Sequence, residues 1–317
     1  MRLLKFMEII RREKDLKREF RNPVLTIGNF DGVHLGHRFI FRQVLKKAKE
    51  IDGESIVYTF DPHPVEILAP DRKPLLITPL EEKLRLIEEQ GIEVAIVAPF
   101  TEKYAGQPPE DFVKKVLYDQ IKIRHIFVGH DFTFGKDRRG NIALLKEMGR
   151  KWGFHAEMVE AVRLEGTVIS STRIRELVAK GEMREAAKLL GRPYALAGKV
   201  IHGHGRGSRK LGFPTANLKP SGILFPKSGI YAVWAMHEGR RYEGVANLGW
   251  NPTFQDQKFS IEIHILNFNR DIYGENLQVE FVQRLRDEVT FRGAEELIDQ
   301  IKRDIAQAEK ILRAAKI

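Results

Sequence analysis

The sequence predicts an α/β domain built on a parallel sheet, followed by a small antiparallel β-barrel closed by a helix. Three observations carry that expectation. Up to about residue 190, short β-branched apolar runs alternate with amphipathic helical patterns, the rhythm of a parallel sheet covered on both faces. Beyond "GRPYALAG" (191–198) the strands follow one another, with apolar and polar residues alternating. The end of the chain then returns to helical spacing.

Taken in order, the opening stretch "MRLLKFMEIIRREKDLKREF" has no uninterrupted apolar run, and Glu8, Glu13, Asp15 and Glu19 argue against a transit peptide. It reads as a short amphipathic or frayed segment. Strands are expected at "PVLTIG" (Pro23–Gly28), "SIVYTF" (Ser55–Phe60), "VAIVAPF" (Val94–Phe100) and "HIFVGH" (His125–His130). Helices are expected between them at "HRFIFRQVLKKAKE" and "LEEKLRLIEEQG". The polar loops "GNFDGVHLGH", "DPHP" and "GHDFTFG" each begin at the carboxyl end of a strand, where sheets of this kind bind ligands. Helices at "TRIRELVAKG" and "EMREAAKLL" end the first domain and put the boundary near residues 187–193, giving domains 1–190 and 191–317. The second domain has strands at "YAVWAM", "RRYEGVANLG", "KFSIEIHILNF" and "NLQVEFVQRL", with "HEGR" as a tight hairpin link. Its closing helix, Glu295–Ala315, lines up Leu297, Ile298, Ile301, Ile305, Ala308 and Leu312 on one face.

Composition narrows the function classes. At 317 residues the chain has room for about two cores. It has no cysteine, which excludes disulfides and thiolate zinc sites and favours a reducing, cytoplasmic setting. No apolar run approaches the ~20 residues of a membrane span. The formal charge of +10 is scattered through mixed-sign sequence, which favours a small phosphorylated substrate over nucleic acid. The expected partners are therefore small molecules, without nucleic acid or membrane, on a monomer or weak homo-oligomer.

The first loop concentrates chemistry. Gly28 ends a strand and Gly36 lies early in the next helix, so backbone can come close to a ligand. A helix N-terminus offers free N–H groups and the positive end of its dipole to an anion. His34 and His37, three apart, share a helical face and could reach neighbouring phosphate oxygens. Such a pair suits attack at an α-phosphorus, where positioning and charge stabilisation suffice without a covalent nucleophile. From the residues alone two other readings stay open: a metal site, for which no third ligand is evident nearby, and plain structural caps.

In the second domain "GHGRGSRKLGFPTANL" (203–218) is glycine-rich at Gly203, Gly205 and Gly207. It is not a dinucleotide-binding fingerprint, because Gly212 and Pro214 stop a helix from following. Nor is it a Walker A loop, since Gly-Lys-Ser/Thr is absent. A flexible loop over phosphates, charged by Arg206, Arg209 and Lys210, is the reading left. Thr215 and Asn217 point the same way in an extended segment and offer hard oxygens to Mg²⁺ with bound ATP; a plain Ser/Thr turn is the alternative. Glu262 alternates with Ile261, Ile263 and Ile265, on a polar strand face where most carboxylates are simply solvated.

Together these motifs resemble a known family. "GNFDGVHLGHR" is similar to the nucleotide-binding signature of the nucleotidylyltransferase superfamily, and "ISSTRIRELVAKG" (169–181) to its second signature. With "TFDPHP" and "VGHDFTFG", the set resembles the adenylyltransferase half of the bacterial bifunctional riboflavin kinase/FAD synthetases. "GHGRGSRKLGFPTAN", "GVANLGWNPTF" and "IEIHILNFNRDIYG" resemble the riboflavin kinase domain of the same family. The similarity runs from about Val24 to the end of the chain. It implies a Rossmann-like nucleotidylyltransferase domain, which would convert FMN and ATP to FAD and pyrophosphate. The barrel would phosphorylate riboflavin to FMN with ATP and Mg²⁺.

The resemblance also implies roles. His34 and His37 would bind the α-phosphate of ATP, with Gly28, Asn29, Phe30, Asp31 and Gly32 shaping the adenine-nucleotide pocket. Ser170, Ser171, Thr172 and Arg175 would hold the β- and γ-phosphates. Asp61, Pro62, His63 and Pro64 would border the flavin, as would Asp131 and Phe132. Asp131 stands where some relatives carry Asn, and buried structural polar groups are the alternative for Asp61 and Asp131. In the kinase, Gly203, Gly205, Gly207, Lys210, Gly212, Phe213 and Pro214 would bind ATP, and Thr215 and Asn217 the metal. Glu262 would be the catalytic base, with Arg286 and Arg292 closing over flavin and phosphate.

The chain departs from the family pattern at Asn267, commonly Asp, and Arg270, commonly Gly. Another nucleotidylyltransferase fused to a barrel module is the nearest alternative and leaves the second motif set unexplained. A class I aminoacyl-tRNA synthetase shares the His-x-Gly-His element, but "SSTRIR" stands where a Lys-Met-Ser-Lys-Ser loop would be needed. A non-catalytic flavin- or RNA-binding protein is the third class.

Overall fold

The computed structural model describes residues 6–12, 16, 18–72, 75–202, 212–219, 223–253 and 256–315, with the backbone alone at 72, 250–253 and 256–258. By packing, the chain divides into two units, Met1–Ser171 and Thr172–Ile317. The expected boundary at 190/191 lies two helices later than this division. Among the described residues no helix is long and apolar enough to cross a membrane.

The first unit is a parallel sheet in the order β1-β4-β3-β2-β5-β6. Its strands are β1 (Glu8–Ile10), β2 (Val24–Ile27), β3 (Ser55–Asp61), β4 (Val94–Pro99), β5 (His125–Gly129) and β6 (His155–Val159). The central strands are continuous apolar runs because both of their faces are covered. One core contains Leu25, Ile56 and Ile96, and the other contains Val24, Val57 and Ala95. Helices α1 (Leu35–Glu50), α2 (Pro64–Leu68), α3 (Leu80–Glu88), α4 (Glu102–Ala105), α5 (Pro109–Phe112) and α6 (Ile142–Trp152) connect the strands, and α5 runs on as a π-helix over Val113–Gln120.

Two elements differ from expectation. Residues Glu8–Ile10 are not a frayed opening but a parallel edge strand on β4, with Glu8 opposite Val94 and Ile10 opposite Ile96. Burial drives this: Met7 joins one core and Ile10 the other. β6 pairs with β5 although its pattern is largely exposed, so no apolar run announced it.

The strand order places the ligand crevice. From β2 the chain winds outward through β3 to β4, then returns to the other side of β2 for β5 and β6. The reversal lies between β2 and β5, where α/β sheets open a cleft at their carboxyl ends. α1 starts there, directly after β2. A short β-ribbon, β7 (Arg163–Leu164) and β8 (Thr167–Val168), then precedes α7 (Ser171–Lys180).

The second unit combines most of α7 and all of α8 (Met183–Leu190) with a closed antiparallel barrel in the order β10-β13-β12-β11-β14-β9. Its strands are β9 (Tyr194–Ile201), β10 (Ala216–Leu218), β11 (Gly229–His237), β12 (Arg240–Thr253), β13 (Asp256–Ile265) and β14 (Asn276–Arg286). The "HEGR" link is a two-residue hairpin turn with Glu238 (φ 49°) and Gly239 (φ 74°) both left-handed, the geometry that matches strand twist. α9 (Ala294–Ala314) lies along the barrel wall, its Ala308 and Leu312 against Ala232 and Trp234 of β11. The expected apolar stripe is interrupted at its centre by Asp304, which is buried.

Candidate active sites

Segment 28–34 turns the chain from β2 into α1 through three left-handed residues, Phe30 (φ 50°), Gly32 (φ 86°) and Val33 (φ 40°). For a β-branched residue this costs on the order of 1–3 kcal/mol, the kind of strain that collects at ligand sites. Packing holds it: Val33 is fully buried and its carbonyl accepts from Arg38 Nε at 3.2 Å. The Phe30 ring folds back over Gly28, where a Cβ would lie 2.9 Å from it. Phe30 then meets His37 edge-on at 5.2 Å and Phe41 at 5.0 Å.

His34 is the N-cap of α1, its Nδ1 accepting from the His37 backbone N–H at 3.3 Å. In the neutral ring the proton then sits on Nε2, which can donate to a ligand. The two imidazoles stack with centroids 3.5 Å apart and 18° from parallel. Gly36 lets them do so, since a Cβ there would stand 3.1 Å from the His34 ring. Burial holds the His37 imidazole well below the usual histidine range, with His34 and Lys83 adding to the effect. His37 Nδ1 is buried and has no hydrogen-bond partner among the described residues. Capping thus accounts for one ring nitrogen of His34 and none of His37. Among the described residues, no third His, Asp or Glu completes a metal-type cluster with the pair.

Asp31 turns out to be the buried structural carboxylate of the site. It accepts from the backbone N–H groups of Ile77 at 3.0 Å and Thr78 at 3.1 Å, while Gly32 N–H donates to Thr78 Oγ1 at 3.1 Å. It shapes the loop from beneath. The second signature docks on the same turn, because the Ser171 hydroxyl donates to the Asp31 carbonyl at 2.9 Å. Ser170 precedes this contact, and exposed Thr172 and half-buried Arg175 follow on the first turns of α7.

The other two loops leave the neighbouring strands β3 and β5, on either side of β2. Asp61 is exposed at the end of β3, before a cis peptide to Pro62. His63 caps α2, its Nδ1 accepting from Val65 N–H at 3.3 Å, and Pro64 opens that helix. After β5, the Asp131 side chain is 84% exposed, and Phe132 stacks on Phe134 at 5.4 Å. Neither Asp61 nor Asp131 is a buried structural group.

Sequence reasoning missed Lys83, which looks like any surface lysine in "LEEKLRLIEEQ". It is buried, with Nζ donating to the Asn29 carbonyl at 3.2 Å and to Thr59 Oγ1 at 3.1 Å. Its helical phase was the available signal: it falls three residues after Leu80 and four before Ile87, on the apolar side.

On the barrel, β10, β13 and β12 are neighbours, and Asn217, Glu262 and Asn247 stand opposite one another in register. Their neighbours Ala246 and Ile263 face the core, so the three polar side chains share the opposite face. Thr215 Oγ1 lies 3.4 Å from Glu262 Oε2. His264, two residues on, donates from Nδ1 to the Pro214 carbonyl at 2.8 Å and meets the Phe213 ring edge-on, pinning the strand that carries Thr215. Gly212 turns the chain into that strand at φ 86°. Asn247 was not anticipated; its Oδ1 is buried and has no partner among the described residues. Gly203, Gly205, Gly207 and Lys210, with Arg206 and Arg209, lie outside the described residues.

Arg286 hydrogen-bonds within the barrel unit. Its Nε donates to Asp304 Oδ1 at 2.9 Å, its Nη2 to Oδ2 at 2.6 Å, and its Nη1 to the Asp287 carbonyl at 2.8 Å. Arg292 is exposed, its backbone N–H donating to Glu296 at 2.9 Å. The two departures from the family pattern have local explanations. Asn267 adopts a left-handed φ of 54°, which Asn tolerates, and Arg270 pairs with Glu238 at 2.9 Å.

Two family models divide along this geometry: one described as FAD synthetase matches residues 16–173, and one described as riboflavin kinase matches residues 190–312. Curated relatives match nearly end to end. That of Haemophilus influenzae is 36% identical over 304 residues, 96% of this chain and 98% of the relative. That of Listeria monocytogenes is 40% identical over 292 residues, 89% and 90% of the two chains. Both bear the name bifunctional riboflavin kinase/FMN adenylyltransferase. The chain belongs to this family. As a bifunctional riboflavin kinase/FMN adenylyltransferase it carries the FAD synthetase match on the sheet and the riboflavin kinase match on the barrel. A crystal structure described as a macrolide-efflux protein from Streptococcus pneumoniae shares the fold, with a TM-score of 0.86 and 32% identity across 96% of this chain and 99% of that one.

Proposed function

We propose that the family's two reactions are divided between these sites: adenylyl transfer at the His34–His37 loop and phosphorylation of riboflavin at the Glu262 row. The observation that supports the division is that the barrel row is built around a carboxylate, Glu262, while the sheet loop centres on two stacked imidazoles. The chemistry calls for that difference. The attacking group on riboflavin is an alcohol, which must lose a proton, whereas the phosphate of FMN is already ionised.

At the barrel, Glu262 accepts the proton of the terminal ribityl hydroxyl as its oxygen attacks the γ-phosphorus, and ADP leaves. The oxygen donors fit Mg²⁺: a Thr hydroxyl, the Asn217 amide and the buried Oδ1 of Asn247, which has no partner among the described residues, lie along the carboxylate row. Thr215 and Asn217 would hold the ion, which supplies charge neutralisation on the ATP phosphates. Gly203, Gly205, Gly207, Lys210 and Gly212–Pro214 would bind ATP, and Arg286 and Arg292 would serve the flavin side, as the family resemblance implies.

At the sheet, an FMN phosphate oxygen attacks the α-phosphorus of ATP and pyrophosphate leaves, with no covalent enzyme intermediate. His34 donates from Nε2, and a neutral His37 donates beside it to the oxygens on which charge builds up. Ser170, Ser171, Thr172 and Arg175 hold the leaving phosphates, and Asp61, His63, Asp131 and Phe132 border the flavin. We assign adenylyl transfer to residues 1–190 and the kinase to 191–317, in a cytoplasmic monomer or weak homo-oligomer acting on small molecules.

The test is purified protein with riboflavin, ATP and Mg²⁺, the flavins separated over time. FMN should appear first and FAD second. Glu262→Gln should stop FMN formation while still converting supplied FMN to FAD; near-parental phosphorylation by this variant would overturn the assignment of the base.

A further inference from the structure

Lys83 of α3 places a buried ammonium where the two loops of the sheet site begin. Besides Asn29 and Thr59, its Nζ reaches the Phe60 carbonyl at 3.5 Å, and the Thr59 hydroxyl donates on to the Asn29 carbonyl at 3.3 Å. One cation therefore ties the end of β2, where the histidine loop starts, to the end of β3, where the Asp61 loop starts. All three acceptors are neutral. Burying an ammonium on neutral acceptors is costly, and a fold keeps such a group where its charge is used.

The charged and titratable groups around it are few. Asp31, from the loop after β2, and Asp61, at the end of β3, attract it without hydrogen-bonding to it; Asp31 is already engaged by Ile77 and Thr78. His37 of α1 faces it and is pushed toward neutrality by it. On α3 itself Glu81 pairs with Arg11 and Glu82 with Arg85, all largely on the solvent side.

We propose that Lys83 is a positioning residue for adenylyl transfer: it fixes the spacing of the nucleotide and flavin loops and sets a positive charge behind the point where the two substrates' phosphates meet. The proposal rests on adenylyl transfer taking place at the His34–His37 loop. Burial pulls the Lys83 ammonium down to about 8, against the attraction of Asp31 and Asp61, so its charge is present at pH 7 and lost as pH rises through that value.

The experiment uses the full chain with FMN and ATP, comparing Lys83→Met, Lys83→Arg and His37→Ala. Riboflavin phosphorylation on the same preparations serves as the internal control. Lys83→Met should lower kcat for FAD by about 10²-fold, the scale of a small misplacement of reacting groups, with phosphorylation unchanged. The parental enzyme should lose FAD synthesis above pH ~8, and Lys83→Arg, whose guanidinium does not titrate there, should keep it. An unchanged alkaline limb in Lys83→Arg, or a parental kcat in Lys83→Met, overturns the proposal. If only His37→Ala is slow, the Lys83 role alone falls. If His37→Ala is also at the parental rate, the site assignment falls with it.

Discussion

His34 uses one ring nitrogen to start a helix, while its stacked partner His37 is held neutral by burial. On the proposed assignment, replacing His37 by Ala removes a donor to the developing charge, and FAD synthesis should fall by about 10²–10³-fold while riboflavin phosphorylation continues. Because His37 is held well below its usual range, lowering the pH from 7 to 6 should not protonate it. An acid limb that shifts in His37→Gln would contradict this. Asp31 makes a different expectation. Asp31→Ala strands the buried N–H groups of Ile77 and Thr78, at roughly 1–3 kcal/mol for each unsatisfied group, and should lower the denaturation midpoint as well as FAD synthesis. Lys83 gives a pH test of stability. Its folded value of about 8 lies below the ordinary 10.5, so between these the unfolded chain binds more protons and the parental fold gains stability as pH rises, by about 3 kcal/mol in all. The stability of Lys83→Met relative to the parent should therefore fall from pH 8 to 10, measured by denaturant titration. The motifs could be singled out in the sequence by residue type and spacing. Burial could not: Asp31 and Asp61 both follow strand ends in the sequence, and only the packed segment 77–78 makes one structural and leaves the other exposed.

Among the elements, α9 was readable from its apolar spacing, yet its energetic centre is the residue that breaks the pattern. Asp304 sits in the stripe between Ile301 and Ala308, its side chain 5% exposed, and clamps Arg286 of β14 by two bonds, with Gln300 donating to it at 2.9 Å. Removing one partner of a buried pair leaves an unmatched charge. Asp304→Ala should thus destabilise the barrel unit by about 3–5 kcal/mol, read in the denaturation of the kinase activity. A family resemblance could suggest a ligand role for Arg286; it could not show that an aspartate eighteen residues on takes the guanidinium. The strands divide similarly. β2 to β5 were legible because burial on both faces writes continuous apolar runs. β1 is three residues long and β6 is mostly exposed, so each is defined by its neighbour's hydrogen bonds and not by its own composition.

For the whole molecule, the change from α/β to all-β pattern near residue 190 was plain in the sequence, but the way α7 and α8 pack was not. Within the barrel unit α8 packs on β9 and β14, and Lys227 N–H donates to the Val178 carbonyl of α7. A fragment 191–317 should therefore phosphorylate riboflavin but melt below a fragment 172–317, and neither should make FAD. Thermal scans of the two fragments, with flavin chromatography, check both statements. The barrel closes by pairing β9 with β14, Tyr194 opposite Phe281, so the strand made first waits for the strand made last. A ribosome will have released the whole parallel sheet, free to collapse, while the barrel still shows β9 and β11 as open edges. Bare edges invite pairing with other chains until the ring is complete. Chains truncated after Glu275 and released should accordingly draw chaperones, and the 317-residue chain should not.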